Sequence, residues 1–337
     1  MGKSNDKKLV SIIIPYHNET EKTLKIVLSS INNQIGIDLS RIEVVLVCDA
    51  GNRLDNPDNF LSWFENVDIK YYELTLSGGP GVARQYGMDH SDSEYIMFMD
   101  ADDQLQYCGA LFEFFNVVQQ TGNHQIIACD AMEQFKNSDN QFRYRIRSYQ
   151  DNKIFAWGKW FNRSYLDSIQ LTWHPKLRIF EDTYFVGTAC LLATDIFHHQ
   201  VVVYMWLWNS NSITRNTGKF FAQSLDTWVE LIRYRYHILS LNNLEIANDD
   251  FCGMLTAMAV RETKNKPNNQ AKYNSQLRRT LNECVQAYEL NYEKLVKKII
   301  EAMKNDDFLK NKPIWELQKL AQKFVKQCDK LMENKKY

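Results

Sequence analysis

The residues with the most chemical content are Asp100, Asp102 and Asp103, which close the apolar run Tyr95-Ile96-Met97-Phe98-Met99. A continuous apolar run of that length reads as a strand buried on both faces of a parallel sheet. At its end the chain and its carboxylates leave the core together, and open α/β sheets bind ligands at that edge. Crowded acids repel one another and favour protonation unless a cation is present. Hard oxygens on a short loop suit Mg2+ or Mn2+, which keep waters and take few protein carboxylates plus substrate phosphates. A solvated Asp-rich turn would look the same in isolation. A second acidic pair, Glu181-Asp182, opens a helical stretch. One member can serve as a general base, although carboxylates also favour helix starts for electrostatic reasons.

Positioning these acids requires a scaffold, and the hydrophobic pattern supplies one. Strands are predicted at 9–14, 42–48, 69–74, 95–99, 125–130 and 201–208, with a polar edge strand or hairpin at 141–149. Helices are predicted at 20–33, 58–66, 82–89, 107–120, 157–167 and 181–192. Strands alternating with helices imply a doubly wound, mostly parallel sheet. From about residue 219 the pattern is purely helical, apart from a loop at 264–274. The last segment places Ile314, Leu317, Leu320, Ala321, Phe324, Cys328 and Leu331 on one stripe. Such a stripe must be covered by the protein's own core, by a second copy or by a membrane surface. The expected domains are therefore 1–218, catalytic, and 219–337, helical.

Composition excludes several classes. Net charge is −1, so the chain is not a polyelectrolyte overall. The charge is uneven, however: residues 1–215 hold 26 acids against 19 bases, and residues 216–337 hold 15 against 21. A basic second part suits an anionic acceptor, or simply a solvated Lys-rich helical face. No stretch approaches the ~18 apolar residues of a membrane-spanning helix, and residues 1–8 are too polar for a secretory signal. Seven scattered cysteines without a CxxC pair suggest a reduced, cytoplasmic protein and no zinc. The first strand runs into Pro15-Tyr16-His17-Asn18-Glu19, so neither GxGxxG nor a P-loop follows it.

Taken in order, Ser11 to Asn18, Val45-Leu46-Val47-Cys48-Asp49, Gly79-Pro80-Gly81-Val82-Ala83-Arg84, Phe98 to Asp103, Trp157-Gly158-Lys159-Trp160-Phe161 and Phe180-Glu181-Asp182 resemble the family 2 glycosyltransferases of GT-A fold. The resemblance covers roughly residues 9–215. It implies inverting sugar transfer from a nucleotide diphosphate donor, with UDP as the expected nucleotide and Mn2+ or Mg2+ as cofactor. Pro15, Tyr16, His17 and Asn18 would shape the nucleoside pocket, and Asp49 would bind the base edge. Arg84 would pair with Asp100 or reach the nucleotide. Asp100-Ala101-Asp102 matches the DXD motif, with Asp100 on the ribose or a metal water and Asp102 on the metal. Asp103 would cap the next helix or support the site from behind. Asp182 would be the base, with Glu181 orienting it. Trp206 to Arg215 resembles the segment that closes over the diphosphate; Trp208 and Asn209 stand where relatives carry a basic residue, which leaves Arg215 for that contact.

Trp157, Trp173 and His174 are open to two roles, a sugar-stacking wall or core packing. The acceptor is expected to be a surface or cell-wall glycan or polymer, with a protein or a modified nucleic-acid base as alternatives. Self-association through the C-terminal helices, or peripheral contact with the inner face of a membrane, would account for the basic helical part. A nucleotidyltransferase would need a Gly-rich loop with Arg and Lys after strand one, which is missing here. A non-catalytic sugar-nucleotide-binding module would not need the intact acids.

Overall fold

The computed structural model describes residues 7–151, 153–210 and 224–333. The chain forms two compact units, Met1–Asn209 and Ser210–Tyr337. In the first, β1 (Lys8–Tyr16), α1 (Glu21–Asn32), β2 (Ile42–Cys48), α2 (Pro57–Leu61), β3 (Asp68–Glu73), α3 (Pro80–Asp89) and β4 (Ser93–Phe98) alternate. They are followed by β5 (Gln104–Leu105), α4 (Ala110–Thr121), β6 (Ile126–Lys136), β7 (Phe142–Arg147), β8 (Lys159–Asn162), α5 (Arg163–Ser168), α6 (Glu181–Leu192) and β9 (Ile196–Trp206).

One sheet carries all of these strands in the order β3-β2-β1-β4-β8-β6-β9-β5, with β7 on β6. The four strands from β3 to β4 are parallel. Beyond them the sheet is mixed: β8 is antiparallel to β4 and β6, β9 is parallel to β6, and β5 and β7 are antiparallel to their neighbours. Every residue of β2 is buried, as is every residue of β1 after Lys8, which explains their unbroken apolar sequences. Helix α1 starts where Thr20 Oγ1 accepts the Thr23 N–H, and it buries Leu24, Val27, Leu28 and Ile31.

Two expectations are corrected. Residues 157–167 are not one helix. Trp160 and Phe161 are neighbours in sequence and both fully buried, one on each face of the sheet, which only a central strand allows. The helix begins after β8, at Arg163, capped by Asn162. Asp103 is not a helix cap, because α4 starts at Ala110 with Gly109 at its N-cap.

The second unit holds α7 (Leu225–Asn242), α8 (Leu244–Lys264), α9 (Gln270–Glu283), α10 (Val285–Lys304) and α11 (Ile314–Glu333). The stripe on α11 is used internally: Leu317, Ala321, Phe324, Cys328 and Leu331 are buried where α11 packs on α9 and α10. Ile314, by contrast, is exposed. Among the described residues, no helix is long and apolar enough to cross a membrane.

Candidate active site

The carboxyl ends of β1, β2 and β4 converge on a set of charged side chains. The turn after β2 is tightly built. Ala50 is left-handed (φ 52°), and the Asn52 N–H donates to the His17 carbonyl at 2.5 Å. A Cβ on Gly51 would sit 1.5 Å from that same carbonyl oxygen, so position 51 accepts no side chain without movement of the backbone. The His17 ring donates from Nδ1 to the Asp49 carbonyl (2.7 Å), and Asn52 Nδ2 donates to the Asn18 carbonyl (2.9 Å). Pro15 and Tyr16 are buried, while His17 and Asn18 are exposed at the rim. The Tyr16 hydroxyl is turned into the protein against Tyr71 (3.0 Å), so its side chain is taken up by packing.

Asp49 is buried, and its carboxylate accepts from Ser77 Oγ (2.8 Å), Gly78 N–H (2.8 Å) and Gly79 N–H (2.9 Å). Its first visible task is to hold the glycine loop ahead of α3. A carboxylate has about four acceptor sites, so any base-edge contact uses the remainder. Arg178, which the sequence did not flag, ties the same loop from the other side by donating to the Ser77 carbonyl (2.6 Å).

Arg84, on α3, is the hub. Its Nη2 meets Asp100 Oδ1 at 2.8 Å, and its Nη1 meets Asp182 Oδ1 at 3.0 Å and Glu181 Oε1 at 3.2 Å. The guanidinium also lies 4.9 Å from the Trp173 ring centre. Burial disfavours its charge, but the Asp182, Asp100 and Glu181 carboxylates outweigh that and raise its pKa. One buried cation thus links the DXD acids to the pair at the start of α6.

Those two acidic groups differ. Asp100 is about one-third exposed (35%), and its backbone N–H donates to the Tyr204 hydroxyl. Ala101 is buried. Asp102 accepts from Asn209 Nδ2 (2.7 Å); burial and then the charge of Asp100 raise its pKa. Asp103 is fully buried and accepts from the Tyr204 hydroxyl (2.7 Å) and the Leu207 N–H (2.8 Å), tethering the loop to β9. Glu181 and Asp182 enter α6 through Phe180, a left-handed non-glycine residue (φ 62°). Burial pushes both carboxyls up; the Asp182 charge adds to this for Glu181, and the Arg84 charge holds both back. Asp182 is the more open of the two, its side chain 31% exposed against 11%.

Lys159 is buried beneath the site, its Nζ donating to the Phe155 carbonyl (2.8 Å), and burial lowers its pKa to about 8. A lysine inside the aromatic run Trp157 to Phe161 was the available sequence signal for it. The tryptophans belong to the core. Trp157 stacks on Tyr204 (5.3 Å) and Phe155 (4.8 Å), and Trp173 stacks on Phe185 (4.3 Å) while backing Arg84. His174 packs edge-on against Tyr184. Arg215 lies outside the described residues. The roles of Asn209 and Tyr204 were not legible, because each reaches the acid loop from more than 100 positions away.

No group of three or more His, Cys, Asp or Glu side chains is arranged to hold a metal among the described residues. A divalent ion held by few protein oxygens would be completed by diphosphate oxygens and water. Asp102, with Asp100 beside it, offers the hard oxygens such an ion prefers.

The family model described as "Glycosyl transferase family 2" matches residues 11–188. Two relatives are the poly(ribitol-phosphate) beta-N-acetylglucosaminyltransferase TarP of Staphylococcus aureus and the putative glycosyltransferase EpsH of Bacillus subtilis. TarP is 23% identical over 90% of this chain and 97% of its own length. EpsH is 22% identical over 64% of this chain and 65% of its own. The S. aureus TarS 1–349 structure in complex with UDP-GlcNAc superposes with a TM-score of 0.65 at 15% identity, covering 97% of this chain and 91% of that one. A Pyrobaculum calidifontis mannosyltransferase in complex with GDP-Man and Mn2+ gives 0.51 at 12% identity, covering 99% and 89%. The family match spans both β1 and the Glu181-Asp182 pair, and the chain belongs to glycosyl transferase family 2.

Proposed function

We propose that the protein is an inverting glycosyltransferase that moves a sugar from a UDP-sugar to a hydroxyl of a poly(alditol phosphate) polymer of the teichoic-acid type. The observation that carries the chemistry is the Arg84 bridge, with Asp100 of the DXD loop at one end and the Glu181-Asp182 pair at the other, Asp100 and Asp182 each about one-third open to solvent. The substrate class rests on the relatives, since TarP, which aligns over nearly its whole length, is named for a poly(ribitol phosphate) acceptor.

In this reading Asp102 holds Mn2+ or Mg2+ with Asp100 near the ribose or a metal water. A bound divalent ion supplies Lewis-acid stabilisation of the departing nucleoside diphosphate. Asp49 fixes the glycine loop that borders the donor, and Pro15 to Asn18 form its nucleoside wall. Asp182 takes the acceptor proton during attack from the face opposite the leaving group. Its raised pKa favours that role, because a base works best with a pKa near the operating pH. Glu181, buried beside Asp182 and sharing the Arg84 guanidinium with it, sets its orientation. Seven free cysteines suit a reducing compartment, and we place the reaction in the cytoplasm.

The test is transfer itself. Wild-type protein with Mn2+, UDP-GlcNAc or UDP-glucose and poly(ribitol phosphate) should release UDP and place sugar on the polymer in equal amounts. UDP release that polymer does not stimulate, with no sugar on the polymer, would rule out this acceptor class.

A further inference from the structure

Strand β7 is unusual in burying almost nothing. Phe142 to Ile146 are all exposed, and only Arg147 is partly covered. Its sequence, Phe-Arg-Tyr-Arg-Ile-Arg, puts Arg143, Arg145 and Arg147 on one face, since alternate strand residues share a face. Successive arginines therefore repeat at about 6.7 Å along the strand. Among the described residues one carboxylate meets them. Glu133 on β6, itself nearly buried, accepts from Arg145 Nε (2.6 Å) and Nη2 (3.0 Å) and from Arg147 Nε. Arg143 donates to the Phe142 carbonyl and to Gln141, and pairs with no carboxylate among the described residues. Three cations against one anion leave a surplus of positive charge on this face.

The face also lies close to the acid loop. Glu133 is paired with Arg145 on one side and with Trp206 of β9 on the other. Just past Trp206, Leu207 binds Asp103 and Asn209 binds Asp102. Two strand spacings, about 10 Å, thus separate the arginine strand from the strand that grips the DXD loop.

We propose that the arginine face of β7 is a binding track for the phosphodiester backbone of the acceptor polymer, which it holds alongside the donor site. The proposal rests on the polymer reading given above. A guanidinium matches a phosphate with two parallel donors. A repeating anion can engage several of these at once, so modest contacts add through effective concentration. Lysine or arginine on an edge strand also blocks edge-to-edge pairing. Glutamate blocks it equally well, so Arg143→Glu separates the two roles without disturbing the pairs that neutralise Glu133.

The experiment measures KM for poly(ribitol phosphate) in wild type, Arg143→Glu and Arg143→Lys, with UDP calorimetry to confirm an intact donor site. Arg143→Glu should raise polymer KM about tenfold, the size of one charge-assisted contact. It should also weaken the dependence of KM on salt, and Arg143→Lys, which keeps the charge but not the two-donor fork, should fall between wild type and Arg143→Glu. Unchanged polymer KM in Arg143→Glu, with active wild type, would overturn the track and leave the polymer reading standing. Wild type that neither binds nor glycosylates the polymer would overturn both. Tighter wild-type binding to a single-stranded oligonucleotide than to the polymer would overturn the track in favour of a nucleic-acid surface.

Discussion

The two halves of the sheet solve different problems. From β3 to β4 the strands are parallel, and β1 and β2 are buried almost throughout. Their ends hold Asp49, the glycine loop, Arg84 and the DXD acids in a lattice of short hydrogen bonds and ion pairs. From β8 onward the sheet is mixed, and β7 is left open to solvent. A donor with one fixed nucleotide and diphosphate favours a pre-set site. A long acceptor favours an open surface beside it. On the proposed reading, rigidity is concentrated where the chemistry is, and charge without burial is left for the acceptor.

This contrast can be broken in graded steps. The largest loss should follow Arg84→Ala, which leaves Glu181 buried and three carboxylates unpaired. Removing one partner of a buried ion pair costs about 3–5 kcal/mol, and the lower end applies because Asp100 and Asp182 are about one-third exposed. Urea unfolding would show it as a midpoint shift, and a midpoint within error of wild type would mean that Arg84 does not hold the site together. Next comes Gly51→Ala, whose methyl group collides with the His17 carbonyl. Overpacking of this kind costs about 1–3 kcal/mol, and the distorted rim should weaken UDP binding as well. Full UDP affinity in that variant would remove the turn after β2 from the donor site. The smallest effect belongs to the open half. Tyr144 is 55% exposed, and Tyr144→Ser should change stability by no more than about 0.5 kcal/mol. A clear destabilisation would show that β7 is packed against something, and the comparison between the halves would have to be redrawn.

The same division explains what could be read in the sequence. Strands β1, β2 and β4 were legible because burial on both faces writes an unbroken apolar run. The acids at their ends were legible because those runs stop abruptly. The mixed half was harder. Strand β8 hides in Trp157 to Asp167, where a buried lysine and two aromatics facing opposite ways imitate a helical pattern. Asp103 sat where a helix cap was expected, yet its partner Tyr204 is 101 positions later, and no local pattern announces such a tether. Asn209 reaches Asp102 in the same long-range way. The stripe on α11 was visible as a stripe, but only the packing of α9 and α10 against it shows what covers it.

The central claim is that Arg84 joins two functionally separable ends, donor binding at the DXD loop and proton abstraction at Asp182. Asp182→Asn keeps the shape and a hydrogen-bond acceptor for Arg84 while removing the base. The decisive measurement sets UDP affinity with Mn2+ beside the transfer rate in this one variant. The account predicts UDP affinity close to wild type and transfer reduced by about 10²–10⁴-fold, the usual worth of a general base. Loss of UDP binding in step with transfer would contradict it, and would make Asp182 a structural carboxylate of the Arg84 cluster.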